Sequence, residues 1–399
     1  MEASRRLLSL EGNLRVLALQ TILSQLGFGM FYVVWQPYLL SMGVSIIELG
    51  LTQTVINLSS AAGSLLWGLL SDEFGRKSIV EASYLCRVLS MLALLSSHNP
   101  LFLYLFAFLL GFSAYYMQGN PARSALISES VERGRRAMAI SILLSISLAT
   151  STVAASAGGY IALRIGYHII FHLCILCDLL SILLISLLVE ETLRAKRRDG
   201  RWISRLGGRL KPFRELTPLY IIVILQGLGY TAGYSLLYGL LVDHYGFTTL
   251  QLGMLSTAFN IAWALSSIPM GHLSDRLGRK PLLLSSWAAA LTTALGFIYS
   301  RDFWGFLLFE IISGFDPSMW TPAWIAYISE KTSSDILSSA LGSLTSYSRI
   351  AGIPAPYIAS LLYSNYGFKA PLILHVILLM LTLPLLLSLE EPPHNPLKT

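Results

Sequence analysis

Charge is scarce in this sequence. Asp, Glu, Lys and Arg make up 13% of the 399 residues, against 54% hydrophobic residues and a mean hydropathy of +0.63. That is too little polar surface to wet a soluble globule of this length. Cysteine is nearly absent: the chain has three, Cys86, Cys174 and Cys177, all inside apolar runs, which argues against an extracellular disulfide framework. Cys174 and Cys177 form a CxxC, but with no βαβ context and no second pair to complete a zinc site they read as packing thiols, and no metal site is expected. P-loop, HExxH and nucleophile-elbow motifs are missing, so an ATP-driven pump or a membrane hydrolase has no visible engine. The chain reads as a non-enzyme without a cofactor, driven by an ion or substrate gradient.

What the sequence has instead is apolar runs of the length that crosses a hydrocarbon core of about 30 Å as helix. Twelve are drawn, over residues 14–41, 47–70, 78–98, 100–127, 136–163, 167–189, 216–242, 248–270, 281–299, 303–328, 336–363 and 369–389. Barrel strands would be shorter and alternating, and lipid leaves no backbone polar group unpaired, so the class is an all-α membrane protein. The first run is too long for a signal-peptide core and reads as a retained helix.

The net charge of +6 raises nucleic acid as a partner, but the cations are one-sided. Arg5, Arg6, Arg15, Arg76, Lys77, Arg133, Arg135, Arg136, Arg276, Arg279, Lys280 and Lys331 share one side with nine more in residues 190–215, whereas the opposite loops hold Arg164, Arg301 and Lys369. The positive-inside rule therefore places both termini in the cytoplasm, with the chain in the cell membrane among lipids and no nucleic acid as partner.

Two pairs of segments repeat at nearly one offset. GLLSDEFGRK at 68–77 returns as GHLSDRLGRK at 271–280, and PARSALISE at 121–129 returns as PAWIAYISE at 322–330. The halves are thus parallel repeats: residues 1–189 and 216–399 are expected as two pseudo-symmetric six-helix bundles, joined by a basic linker at 190–215 that is either solvated or carries a short interfacial helix around Trp202, Ile203, Leu206, Leu210 and Phe213. Within the repeat, Gly68 and Gly271 would let a neighbouring helix approach, and Gly75 and Gly278 would permit the tight turn. Asp72 and Asp275 place carboxylates at the membrane boundary, and Arg76, Lys77, Arg279 and Lys280 are inside-positive anchors. The matched ends of the second repeat predict that Arg76 pairs with Glu129 and Arg279 with Glu330.

This decapeptide, between the second and third span of each half, resembles the signature of the major facilitator superfamily, and the resemblance covers the whole chain. It implies alternating access, with two bundles rocking about a midplane site for a small molecule in a monomer. It also implies that the motif, with Glu129 and Glu330, acts as a cytoplasmic gate. The drug/proton antiporter branch is the nearest in feel. Thr150–Gly159 keeps Gly158 and Gly159 of that branch's helix 5 motif but has Ala154 and Ala155 where Gly-Pro is usual, and Ala107 stands where its helix 4 arginine would be.

Ionisable groups inside apolar runs are costly and need a partner or a function. Arg87 and Asp178 lie at similar depth and read as a structural ion pair or as separately satisfied groups. Arg123, nearer the boundary, is expected to snorkel in a gate or structural role. Asp316, Glu310 and Arg349 form the proposed coupling site, because Asp316 and Arg349 each stand about 14 residues from a cytoplasmic helix end. Tyr32, Tyr115, Gln118, Gln226, Tyr230, Tyr234, Asn260, Trp320 and Trp324 are the candidate cavity residues, their rings suited to a flat organic compound or a sugar. The expected function is secondary active transport of a small organic molecule, as proton-coupled efflux of amphipathic compounds. The alternatives are an uptake permease for a sugar or organic acid, or a membrane sensor that transports nothing.

Overall fold

The computed structural model describes residues 12–97, 99–114, 119–132, 135–193 and 212–391, and among these no strand occurs. Internal backbone pairing is the only economical arrangement in lipid, and α-helix is the consequence. In chain order the helices are α1 (Asn13–Ser41), α2 (Ile46–Phe74), α3 (Arg76–Leu95), α4 (Pro100–Phe112), α5 (Pro121–Glu129), α6 (Arg136–Arg164), α7 (Tyr167–Leu188), α8 (Thr217–Tyr234), α9 (Leu237–Tyr245), α10 (Thr249–Leu277), α11 (Arg279–Tyr299), α12 (Phe303–Ser313), α13 (Phe315–Lys331), α14 (Ser334–Gly352), α15 (Ala355–Tyr366) and α16 (Lys369–Ser388). Among the described residues, 8 helical stretches are long and apolar enough to cross a membrane.

Four expected spans are interrupted. The run at 100–127 ends as helix at Phe112 and restarts at Pro121, where the Asn120 side chain accepts from the backbone of Ala122 at 2.9 Å and proline takes the first-turn position it prefers. Ser83 on α3 bridges the gap: its hydroxyl donates to the Ser113 carbonyl at 2.5 Å and accepts from Asn120 Nδ2 at 2.9 Å. The runs at 216–242, 303–328 and 336–363 break at Ser235–Leu236, Gly314 and Ile353–Pro354. Gly314 lies close to α10, where a Cβ would stand 2.6 Å from the Ala262 side chain, and Pro354 has no N–H to continue a helix.

Two compact units emerge, one of residues 1–38 and 55–202, the other of 39–54 and 203–399. In the first, α3 packs against α4, α5 and α7 over a core that includes Leu17, Val80, Tyr84, Leu126 and Ile185. Leu85, Leu89 and Leu92 on the opposite side of α3 are exposed, at the spacing of one helix face turned towards lipid. In the second unit α8 packs against α14 and α16, and α11 against α13 and α16, over Leu219, Ile222, Leu283, Trp324 and Leu386. The start of α2 belongs to this unit, with the Tyr357 N–H donating to Thr54 Oγ1 at 3.2 Å. The proposed interfacial helix of the linker lies outside the described residues, apart from Phe213.

Candidate functional site

The repeated decapeptide folds into the same clasp in each unit. Gly75 turns the chain between α2 and α3 at φ 111°, and Gly278 does so between α10 and α11 at φ 97°, a backbone region closed to most side chains. Arg76 then reaches Asp72 (Nη1–Oδ1 2.6 Å), Glu129 (Nη2–Oε1 3.2 Å) and the Ser71 hydroxyl (2.7 Å). Arg279 reaches Glu330 (Nη2–Oε1 3.1 Å) and the Ser274 carbonyl (2.7 Å). Both glutamates thus meet the loop arginines, as their repeated spacing predicts, while the Asp275 side chain lies outside the described residues.

A third carboxylate in each clasp escaped the sequence reading. Glu191 accepts from the backbone N–H of Arg76 (2.9 Å) and of Lys77 (3.1 Å), and Glu391 accepts from those of Arg279 (2.5 Å) and Lys280 (2.8 Å). Each caps the positive N-terminus of a helix. Lys77 Nζ donates to the Ser186 carbonyl at 2.8 Å and Lys280 Nζ to that of Leu387 at 2.6 Å. Replacing a cap of this kind costs about 0.5–2 kcal/mol, so Glu191→Ala and Glu391→Ala are each expected to lower the thermal unfolding midpoint in detergent, and an unchanged midpoint in both would contradict the capping role. The packing role expected of the first glycines is not what the structure gives: a Cβ at Gly68 would sit in ordinary contact, 3.4 Å from Pro121, and one at Gly271 would meet nothing within 4 Å.

Inside the first unit, Asp178 accepts from Arg87 through Nε (2.7 Å) and Nη2, and the same Nη2 donates to Ser24 Oγ at 2.8 Å. The guanidinium also lies over the rings of Phe28 and Tyr84, at 5.1 and 5.0 Å. Arg123 is a correction to the sequence reading. It does not snorkel: it is buried, and Nη2 donates to Thr21 Oγ1 on α1 at 2.7 Å. A shallow groove of about 450 Å³ between α1 and α6 is lined by Leu26, Met30, Thr150, Val153, Ala154 and Ile161 among others, and is almost wholly apolar.

The second unit holds acids within its apolar helices. Glu310, in the last turn of α12, is 7% exposed, and the half-buried Asp316, in the first turn of α13 just after the break at Gly314, accepts a hydrogen bond from Ser286 Oγ on α11. The sequence expectation put Arg349 beside Asp316; the structure gives Asp316 a different neighbour, Ser286, and leaves the Arg349 side chain on the exposed side of α14. Both acids lie within electrostatic reach of the Tyr234 hydroxyl. The Tyr234 ring packs against Tyr230 at 4.9 Å and His375 at 5.1 Å. His375, on α16 and 2% exposed, was missed, although an imidazole inside an apolar run was signal enough.

Of the cavity candidates, Tyr32, Gln226, Tyr234, Asn260 and Trp320 are half-buried and Tyr230 is exposed, whereas Tyr115 and Gln118 lie outside the described residues. Trp324 is buried: it stacks on Trp320 at 4.9 Å and belongs to the packed core of its unit. Among the described residues no cluster of three or more His, Cys, Asp or Glu side chains has the geometry for a metal ion.

Repeated units of apolar helix, interrupted near buried charge and clasped at corresponding loops, define a multi-pass membrane transporter. The chain belongs to the Major Facilitator Superfamily, whose model matches residues 17–219 and 219–399; its members are transporters, not enzymes. It is 23% identical over 328 residues to the multidrug resistance protein MdtG of Salmonella typhi, covering 80% of each chain. Similarity to MdtG of Citrobacter koseri is also 23%, over 80% of this chain and 79% of that one. Among solved structures, the human organic anion transporter MFSD10 (TETRAN) superposes with a TM-score of 0.65 at 15% identity, over 94% of this chain and 98% of its own.

Proposed function

We propose that this transporter is a proton-coupled exporter of amphipathic small organic molecules. In this reading twelve spans form two six-helix bundles, residues 1–189 and 216–399 joined through 190–215, and rock as a monomer with both termini in the cytoplasm. The observation that carries it is the buried carboxyl of Glu310 in the last turn of α12 together with the half-buried Asp316 just past the break at Gly314. An acid held inside a membrane protein without a fixed cationic partner exchanges protons as its surroundings change between dry and wet. The likeness to multidrug resistance proteins and the apolar groove between α1 and α6 support an amphipathic cargo.

Everted vesicles test the reading with 2-naphthylacetate, its neutral amide and 2-naphthylethylamine as probes. An acid interior is expected to drive accumulation of at least one of them above the level in vesicles lacking the protein, and a protonophore to release that excess. An excess driven only by an alkaline interior would instead indicate an uptake permease.

The clasp residues Gly68, Asp72, Gly75, Arg76, Lys77 and Glu129, with Gly271, Asp275, Gly278, Arg279, Lys280 and Glu330, act as the gate in this proposal. Asp72→Asn removes one of the two carboxylates that hold Arg76 and is expected to bias the carrier inward. A cysteine introduced near the cytoplasmic mouth should then react faster with a membrane-impermeant maleimide; an unchanged rate would count against the latch.

A further inference from the structure

The first unit buries two guanidinium groups, those of Arg87 and Arg123, and one of them is spoken for. Arg87 has Asp178, Ser24 and two aromatic rings. Arg123 is 6% exposed in the first turn of α5, and among the described residues its guanidinium makes one hydrogen bond, to Thr21 Oγ1 at 2.7 Å. Among the described residues its Nε has no hydrogen-bond partner, and neither has Arg87 Nη1. Among the described residues the charged side chain in electrostatic reach of Arg123 is that of Arg87, of like sign. Arginine does not deprotonate in proteins, so the cluster of Arg87, Arg123 and Asp178 holds one positive charge in excess. A buried charge without a counterion is disfavoured and marks a place where function has kept it.

Position points the same way. Arg123 directly follows the interruption between α4 and α5, and Asp316 directly follows the interruption at Gly314 in the other repeat. Interruptions at corresponding places in two halves mark the substrate region of a transporter.

We propose that Arg123 receives the anionic head group of the transported molecule, a carboxylate, sulfonate or phosphate monoester on an apolar body. The guanidinium fork suits such groups because it donates two parallel hydrogen bonds to a planar or tetrahedral oxyanion. Arg87, fixed by Asp178, positions the site, and its buried Nη1, without a partner among the described residues, faces no competing acceptor. This assignment rests on the transporter reading above and narrows its cargo to amphipathic anions.

The test is equilibrium dialysis of the purified full chain in phosphatidylcholine nanodiscs against 2-naphthylacetate, 2-naphthylacetamide and 2-naphthylethylamine. Wild type is expected to bind the acid at least about tenfold more tightly than the amide, the size of one charge-assisted hydrogen bond. Arg123→Gln should make acid and amide bind equally, and Arg123→Lys should keep a reduced preference. Equal binding of acid and amide by wild type, or an undiminished preference in either variant, overturns the proposal. If Arg123→Gln does not fold, Arg123→Lys together with the wild-type comparison still decides. A lipid phosphate on Arg123 would compete, so loss of the acid preference in phosphatidylglycerol nanodiscs would assign the site to lipid and overturn the solute reading. Acid-selective binding without flux of any probe would keep the anion site and remove the transporter reading; flux of the amide or amine without acid preference would do the reverse.

Discussion

Asp316→Asn is expected to reduce pH-driven accumulation to background while substrate exchange at equal pH continues. Asparagine matches the neutral acid in size and keeps an oxygen for the Ser286 hydroxyl, but it cannot release or bind a proton. The packing of α13 against α11 is thereby retained, and the loss, if coupling runs through this residue, is confined to the step that draws on the gradient. Glu310→Gln provides the second measurement. If Glu310 hands protons to Asp316, the glutamine variant slows accumulation and leaves exchange intact. Full proton-driven accumulation by the Asp316→Asn protein in reconstituted vesicles would show that the carboxyl only fastens α13 to α11, and that coupling lies elsewhere.

The second large effect is on stability. Asp178→Ala leaves Arg87 buried at the centre of the first unit with Ser24 and two aromatic faces but no anion. Breaking one side of a buried ion pair costs roughly 3–5 kcal/mol, whereas replacing both partners by apolar groups of similar volume is often neutral. The single variant should therefore unfold well below wild type in detergent, and Arg87→Met with Asp178→Leu should recover most of the loss. A double variant no more stable than Asp178→Ala would mean that the pair is not the reason for the effect, and would redirect attention to the network of Gln20, Ser24 and Tyr84 around it.

Hydropathy alone carried the helical class, because a run of some 20 apolar residues has few other conformations available in lipid. The repeats carried the clasp. Arg76 and Glu129 are 53 residues apart in sequence, yet their pairing was readable because the same two segments recur one half later. The interruptions were not readable from apolarity, since the backbone groups freed at Ser113 are satisfied by Ser83, a residue on another helix. Burial was equally hidden: periodicity puts Trp320 and Trp324 on one face of a helix, but only the packed helices show that this face points inward to the core. The same holds for Arg123, whose distance from a helix end suggested a snorkelling side chain while its neighbour on α1 kept it inside. Glu191 and Glu391 were within reach of inspection. Each is the second glutamate of a doublet after the last span of its half, and the recurrence was overlooked because each doublet reads as ordinary polar punctuation.

The clasp also says something about ancestry. Arg76 finds Glu129 and Glu191 without leaving its own half of the chain, and Arg279 finds Glu330 and Glu391 without leaving its half. A gene segment encoding either half therefore carries every partner of the device with it. Copying such a segment end to end would have delivered a second working clasp in one event, with no compensating mutation needed to restore lost charge pairs. The interiors of the two halves differ, the first burying Arg87, Arg123 and Asp178 and the second Glu310, while the pairing of loop arginine with glutamate is common to both.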